Sequence, residues 1–391
     1  MFAEVNHASK KLFVLAGEAS GDLHAAEVIT ALRQQRPHLD VFGIGGVHLK
    51  AAGVRLLYET SQINFMGFVE VAKHYFFLRR VIEDVKRSVL KEKPMAALLV
   101  DYPGMNLLLA EFFHQQHIPV IYYIAPQAWA WKEGRIEKMK RFITRLCVVF
   151  DFEVDFFQSR GMNATFVGHP IIEEIERFSP ETREAFGTKH SLSLSQPRVG
   201  LLPGSRPQEL ERIFPAMLGA ARLLKEKFNA AFLLGTAPTI APEVYDKFLE
   251  GSDLNIVRTS AYGVMSQSDL VLVTSGTATL ETLCFGTPMV VLYKAARLNY
   301  EIGRRLVKIQ NIALANIVSQ GLYATVKTVP ELLQDEMTPE RIAREAVRFL
   351  QSPELAATTR QALLNAKSKL GSLRPSAEVS KIILETLGET D

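Results

Sequence analysis

The chain is short of cysteine and tryptophan, with two of each in 391 residues. Cys147 and Cys284 both sit inside apolar stretches. A disulfide framework is excluded, and buried thiols in a reducing compartment are expected. The apolar run after Lys10 and Lys11, Leu12 to Ala16, is too short for a signal peptide or a membrane span. A cytoplasmic protein is expected, with any membrane contact peripheral. A formal net charge of +3 is too small to imply a nucleic-acid partner. Two glycine signatures are also missing. The first turn reads Gly17-Glu18-Ala19-Ser20-Gly21, not Gly-x-Gly-x-x-Gly, and Glu18 would repel a pyrophosphate, which argues against a nicotinamide dehydrogenase. Gly-x-x-x-x-Gly-Lys occurs nowhere, so no P-loop is present.

What is present is a globular composition, 48% hydrophobic and 22% charged, in a chain too long for one ordinary core. Two domains are expected. In the second half, Val199, Leu201 and Leu202 form a strand and Gly204 a tight turn. Leu210, Ile213, Phe214, Met217, Leu218 and Ala221 then follow helical spacing. Ser205 reads as the N-cap, with Gln208 completing a capping box and Pro207 fitting the first turn. Arg206 stands where a helix N-terminus already favours an anion. Asp269 to Val273 is a further strand, followed by Ser275-Gly276-Thr277-Ala278-Thr279-Leu280-Glu281. Ser275 or Thr277 caps the next helix, which stops at Gly286. Glu281, one turn beyond Thr277, can accept both hydroxyls of a ribose. Two phosphate-ready helix starts and a diol acceptor fit a nucleoside diphosphate.

The first half opens as a βαβ unit, Lys11 to Ala16 and Asp40 to Ile44 flanking a helix. Ala96 to Val100 is a strand that delivers Asp101 at its carboxyl end, where open parallel sheets bind ligands. Asp101 is a candidate general base or a plain turn residue. Ile118 to Ile124, Leu146 to Phe150 and Ala164 to Val167 read as strands. Trp129 and Trp131 read as packing, and His169 as a turn residue. Asp151-Phe152-Glu153 reads as an acidic helix start in preference to a metal loop. Residues 63 to 82 combine aromatic bulk with Arg79 and Arg80. That suits an interfacial segment or, equally, a core helix with a solvated basic side. Residues 1 to 9 read as a loose leader, the polar run 176 to 197 as a domain linker, and the chain from Glu340 as amphipathic helices.

Nine motifs in order resemble lipid-A-disaccharide synthases. They are Ala16-Gly17-Glu18-Ala19-Ser20-Gly21-Asp22, Met66-Gly67-Phe68-Val69-Glu70-Val71, Asp101-Tyr102-Pro103-Gly104-Met105-Asn106, Pro126-Gln127-Ala128-Trp129-Ala130-Trp131, Val167-Gly168-His169-Pro170, Leu202-Pro203-Gly204-Ser205-Arg206, Ser275 to Glu281, Pro288-Met289-Val290-Val291 and Pro330-Glu331-Leu332-Leu333-Gln334. The resemblance implies an α/β fold of two Rossmann-like domains facing across a cleft, the GT-B type. It places an acceptor and membrane-facing domain at 10–176 and a UDP-sugar domain at 177–345. The C-terminal helices, 346–391, would pack back on the first domain or swap in a homodimer. It also implies a reaction without cofactor or metal. A 2,3-diacylglucosamine passes from UDP to the 6-hydroxyl of 2,3-diacylglucosamine 1-phosphate, with inversion, at the inner-membrane surface.

By the same resemblance Asp101 is the base and Glu18 a second active-site carboxylate. Gly204, Ser205, Arg206, Ser275, Gly276, Thr277, Glu281 and Asn316 would hold the UDP-sugar, and Ser20, Asn106 and Gln127 the acceptor side. Phe65, Met66, Phe68, Val69, Tyr75, Phe76 and Phe77 would meet the membrane. The chain departs from the family at Leu314-Ala315-Asn316, where Leu-Pro-Asn is usual, and at Gly104, where many relatives carry an acid. Two rival readings share parts of this pattern: a UDP-N-acetylglucosamine 2-epimerase, and a non-catalytic nucleotide-sugar or lipid-binding protein.

Overall fold

The computed structural model describes residues 11–63, 74–130, 133–297, 300–301 and 309–388. The expected leader lies outside the described residues, as do Phe65, Met66, Phe68, Val69 and Trp131. The chain forms two compact units, residues 1–170 with 371–391, and residues 171–370.

The first unit is built on seven parallel strands: β1 (Lys11–Ala16), β2 (Asp40–Gly45), β3 (Arg55–Glu59), β4 (Ala96–Val100), β5 (Val120–Tyr123), β6 (Arg145–Val148) and β7 (Thr165–Phe166). Their order is β3-β2-β1-β4-β5-β6-β7. Leu12 to Ala16 and Ala96 to Val100 are each 0% exposed. Such unbroken apolar runs are what a parallel sheet covered on both faces requires. The helices that matter here are α1 (Ala19–Gln35), α2 (Tyr75–Glu92), α3 (Pro103–Gln115) and α4 (Asp151–Gln158).

The second unit repeats the plan with six parallel strands: β8 (Arg198–Leu202), β9 (Ala231–Gly235), β10 (Ile256–Thr259), β11 (Leu270–Thr274), β12 (Met289–Tyr293) and β13 (Glu331–Leu333). Their order is β10-β9-β8-β11-β12-β13. Its helices include α5 (Pro207–Phe228), α6 (Ala261–Gln267), α7 (Thr277–Phe285), α8 (Leu314–Gln320), α9 (Pro339–Gln351) and α10 (Pro353–Lys367). The last helix, α11 (Pro375–Thr386), belongs to the first unit. In both sheets the strand order reverses beside the first strand, between β1 and β4 and between β8 and β11. In a doubly wound sheet a ligand crevice opens at that reversal.

Three expectations of organisation are corrected. The polar run 176–197 is not a free linker, and the units divide at Pro170/Ile171. The run contains a helix, Arg183–His190, capped by Thr182. Arg183 anchors it by a two-pronged bond to the Asp269 carboxylate, 2.9 Å on each arm. The C-terminal helices also do not move as one block. Ile342, Ala346 and Phe349 of α9 join the core of Leu210, Phe214 and Met217 from α5, so α9 stays with the second unit. Only α11 returns to the first, where it packs on α1 and buries Val379 and Ile383.

Candidate active site

In the second unit the reversal between β8 and β11 opens a cavity of about 710 Å³. Gly204, Ser205, Arg206, Ser275, Gly276, Thr277 and Glu281 all line it, together with Glu209 and Tyr262. Gly204 follows β8 with φ +112, and a Cβ there would lie 2.4 Å from a Glu209 oxygen, so only glycine fits. The expected Ser205–Gln208 capping box does not form. The N-cap is Arg206, with Pro207 next. The carboxylate at the third helical position reaches back instead, and Glu209 accepts the Ser205 amide at 3.0 Å. Glu209 also lies 3.7 Å from the Arg206 guanidinium, whose side chain is 59% exposed and can swing to a ligand.

Neither Ser275 nor Thr277 caps α7. Its N-cap is Gly276, and no side chain accepts from its leading amides. The leading amides of α7 therefore face the cavity without a side-chain cap, which suits an anion. Glu281 sits one turn deeper. Burial, with Glu174 as the next cause, pushes its carboxyl up to about 7, against a hydrogen bond from Tyr262 that pulls it down.

Asn316 is corrected. It does not line this cavity. It is 0% exposed, and its amide donates to the Val329 carbonyl and the Glu331 carboxylate, each at 2.9 Å. Its oxygen accepts from the Thr328 and Val329 amides at 2.8 and 3.0 Å. All four bonding positions of the side chain are used, so Asn316 locks the segment leading into β13.

In the first unit the reversal between β1 and β4 carries Glu18 and Asp101. Asp101 adopts φ +46 and Tyr102 φ +43, and Ile124 at the end of the neighbouring β5 has φ +61. Three such residues at adjacent strand ends mark strain concentrated at one place, as is common at working sites. The strained turn is braced. The Asp101 carbonyl accepts from the Tyr122 hydroxyl at 2.6 Å and from the Asn106 amide. Asn106, expected on the acceptor side, is 0% exposed, and its side-chain nitrogen is spent on this bracing. The Tyr102 ring lies flat on Gly17, where a Cβ would come within 2.2 Å of it, and the Tyr102 hydroxyl donates to the Ile63 carbonyl at 2.9 Å. The two loops thus interlock. Burial, then the Glu18 charge, pushes the Asp101 carboxyl up to about 6, with the Tyr102 backbone amide and then His24 pulling it back. Ser20 and Gln127 are exposed.

Nearby, Asp151 and Glu153 start α4 as expected. Glu153, 1% exposed, accepts the Trp129 indole at 2.9 Å and the Val149 and Phe150 amides at 3.2 Å. Trp129 is packed, as its composition suggested, at 2% exposure. Desolvation pushes the His169 imidazole down to about 3, so it stands neutral beside the Phe150 ring. On α2, Tyr75 and Phe76 are 56% and 81% exposed, while Phe77 is half-buried against Tyr58.

Compared with known proteins, residues 12–382 match the family model described as lipid-A-disaccharide synthetase. The chain belongs to that family. The Geobacter metallireducens lipid-A-disaccharide synthase is 39% identical over 389 residues, covering 97% of this chain and 98% of its own. The Myxococcus xanthus enzyme of the same name is 38% identical over 380 residues, covering 96% and 97%. A lipid-A-disaccharide synthase is a glycosyltransferase, and the fold agrees. The S. aureus MnaA–UDP co-structure superposes with a TM-score of 0.64 at 13% identity, covering 97% of this chain and 98% of that one. The calicheamicin glycosyltransferase CalG4 gives 0.60 at 11%, covering 98% and 99%. Likeness at that identity shows the shared two-sheet fold alone, so resemblance to 2-epimerases (0.58 at 13% for the Methanocaldococcus jannaschii UDP-GlcNAc 2-epimerase) does not carry their activity here. No described helix of this lipid-A-disaccharide synthase family member is long and apolar enough to cross a membrane.

Sequence reading missed Tyr102, Tyr122, Glu209 and Tyr262. Aromatic residues at strand and helix ends read as core. Glu209, three residues after the true cap, carried a capping signal that Ser205 obscured.

Proposed function

We propose that this chain transfers a 2,3-diacylglucosamine unit from UDP to the 6-hydroxyl of 2,3-diacylglucosamine 1-phosphate, with inversion, giving a β-1,6 disaccharide 1-phosphate and UDP. Family membership supports the reaction, and the cavity at the β8/β11 reversal supports the donor. Asp101 accepts the proton of the acceptor hydroxyl as its oxygen attacks the anomeric carbon. A carboxyl raised to about 6 is basic enough to take that proton and still ionised at neutral pH. The leaving diphosphate gains negative charge, which Arg206 and the N-termini of α5 and α7 stabilise. Gly204, Ser205, Ser275, Gly276 and Thr277 shape this cradle, and Glu281 accepts the ribose hydroxyls. Glu18 stands beside Asp101 and keeps it basic.

Both substrates carry acyl chains. The exposed Tyr75 and Phe76 with Arg79 and Arg80 on α2 suit contact with an anionic membrane surface, the expected inner-membrane site. The test is incubation with both lipid substrates in EDTA, scoring disaccharide and UDP. Asp101→Asn should lower turnover by about 10²–10⁴ while UDP binding persists. Arg206→Ala should weaken UDP binding and cost about 3 kcal/mol in the barrier. Loss of UDP binding in Asp101→Asn, or unchanged affinity in Arg206→Ala, overturns these roles.

A further inference from the structure

The motif Pro330-Glu331-Leu332-Leu333-Gln334 has no part in the reaction above, yet it sets a carboxylate inside the second unit. Glu331 opens β13 opposite Val291 of β12, and its side chain is 0% exposed. Three N–H donors converge on it. The Ile312 and Ala313 amides donate at 3.3 and 3.0 Å, and the Asn316 side-chain amide at 2.9 Å. The Lys327 ammonium stands 3.4 Å away. Burying a carboxylate is costly unless donors replace its water, and these groups do so. Ala313 is the N-cap of α8, so the carboxylate pins the point where that helix starts. Helix α8 in turn packs on α7. The pinned peptide also reaches the donor-side cavity. The Ser275 hydroxyl donates to the Ile312 carbonyl at 3.4 Å, and Ser275 lines the cavity just before Gly276, the N-cap of α7.

We propose that Glu331 is a positioning residue for the diphosphate of the donor. It fixes the Ile312 peptide, and the Ile312 carbonyl holds the Ser275 hydroxyl beside the leading amides of α7. At 3.4 Å that hydrogen bond is long, and a charged phosphate oxygen is the stronger acceptor. On binding, the hydroxyl passes from Ile312 to the ligand. The inference rests on the reading of the β8/β11 cavity as the diphosphate site. Charge and position act with opposite signs here. Neutralising Glu331 removes a negative charge near an anion site and releases Lys327, which by charge alone should tighten UDP binding. Losing the fixed carbonyl should weaken it. A glutamine at 331 turns its own N–H₂ group toward one of the three N–H donors, so the anchor breaks at one point at least.

The experiment is titration of UDP and of uridine, followed by ligand-observed NMR, into the full chain, its Glu331→Gln and Ser275→Ala forms, and the double variant. Ser275→Ala should weaken UDP about tenfold, since its partner is a charged oxygen. Glu331→Gln should weaken UDP by about five- to tenfold and leave uridine, which lacks the phosphates, within about twofold. In the Ser275→Ala background, Glu331→Gln should change UDP affinity by less than about twofold, because the group it acts through is gone. Its lowering of the melting temperature should be the same in both backgrounds. A purely structural Glu331 gives additive losses of affinity, and a pure charge effect gives tighter UDP. Either result, or equal weakening of UDP and uridine, overturns the proposal.

Should Glu331→Gln fail to fold, hydrogen exchange on the unaltered protein decides. The Ile312 and Ala313 amides must exchange as slowly as those of the central strands, with UDP or without it. Rapid exchange at either amide overturns the proposal. Absence of UDP binding by the unaltered protein strikes the donor reading itself, whereas UDP binding that Glu331→Gln leaves untouched strikes this inference alone.

Discussion

Asp101 combines a left-handed backbone with a carboxyl pushed up to about 6, and both are costs that the surrounding fold must cover. The sign of the second is specific. The native state holds the Asp101 proton more tightly than the unfolded chain does. The associated stabilisation is complete below the unfolded value near 4 and is lost as pH rises through about 6. Asp101→Asn should therefore be more stable than the unaltered protein at pH 8, by on the order of 2 kcal/mol, and no more stable at pH 4. Urea midpoints at the two pH values measure this, and an equal shift at both would contradict it. Asp101 itself was legible from sequence because a carboxylate follows a wholly apolar strand. Its supports were not. Asn106 reads as a cleft residue until its amide is found on the carbonyls of Val100 and Asp101. Asn316 likewise reads as a ligand contact, yet its four bonds are all internal.

Among the elements, α2 has two faces that meet different surroundings. Val81, Val85 and Val89 form its buried stripe, while Tyr75 and Phe76 at its start are exposed. Replacing both with Ser should leave thermal stability unchanged, because neither side chain is in the core. It should reduce partitioning onto anionic vesicles by at least about tenfold, since each aromatic side chain withdrawn from an apolar phase forfeits about 1.5–3 kcal/mol. Raised salt should weaken what remains by screening Arg79 and Arg80. Co-sedimentation reads both effects, and unaltered sedimentation would place the membrane contact elsewhere. Central strands were readable because two-sided burial leaves unbroken apolar runs. The edge strands β3, β10 and β13 were not. Arg55 to Glu59 is exposed at both ends, and Ile256 to Thr259 is nowhere fully buried, so neither shows such a run.

For the molecule as a whole, the second unit is one continuous stretch, 171–370, whereas the first needs residues from both ends of the described chain. Ending the chain after Leu370 removes α11 and uncovers its contact with α1. The shortened protein should retain UDP binding in the second unit. It should lose a cooperative unfolding transition from the first, visible by calorimetry as two separated events or as one event missing. Loss of UDP binding together with α11 would contradict this assignment. The amphipathic pattern from Glu340 announced helices, but it could not tell which core would take them. Ile342 and Phe349 fit a core whose other half lies at Leu210 to Met217.

The return of α11 sets an order of assembly on the ribosome. About 350 residues separate α1 from the helix that covers it, and at roughly 5–20 residues per second their synthesis takes about 20–70 s. During that interval the N-terminal unit has emerged without the helix that packs on its α1. The second unit, complete by Leu370, can fold before it. Domain maturation thus runs against the direction of translation, and the unit that carries Asp101 is the last to be finished.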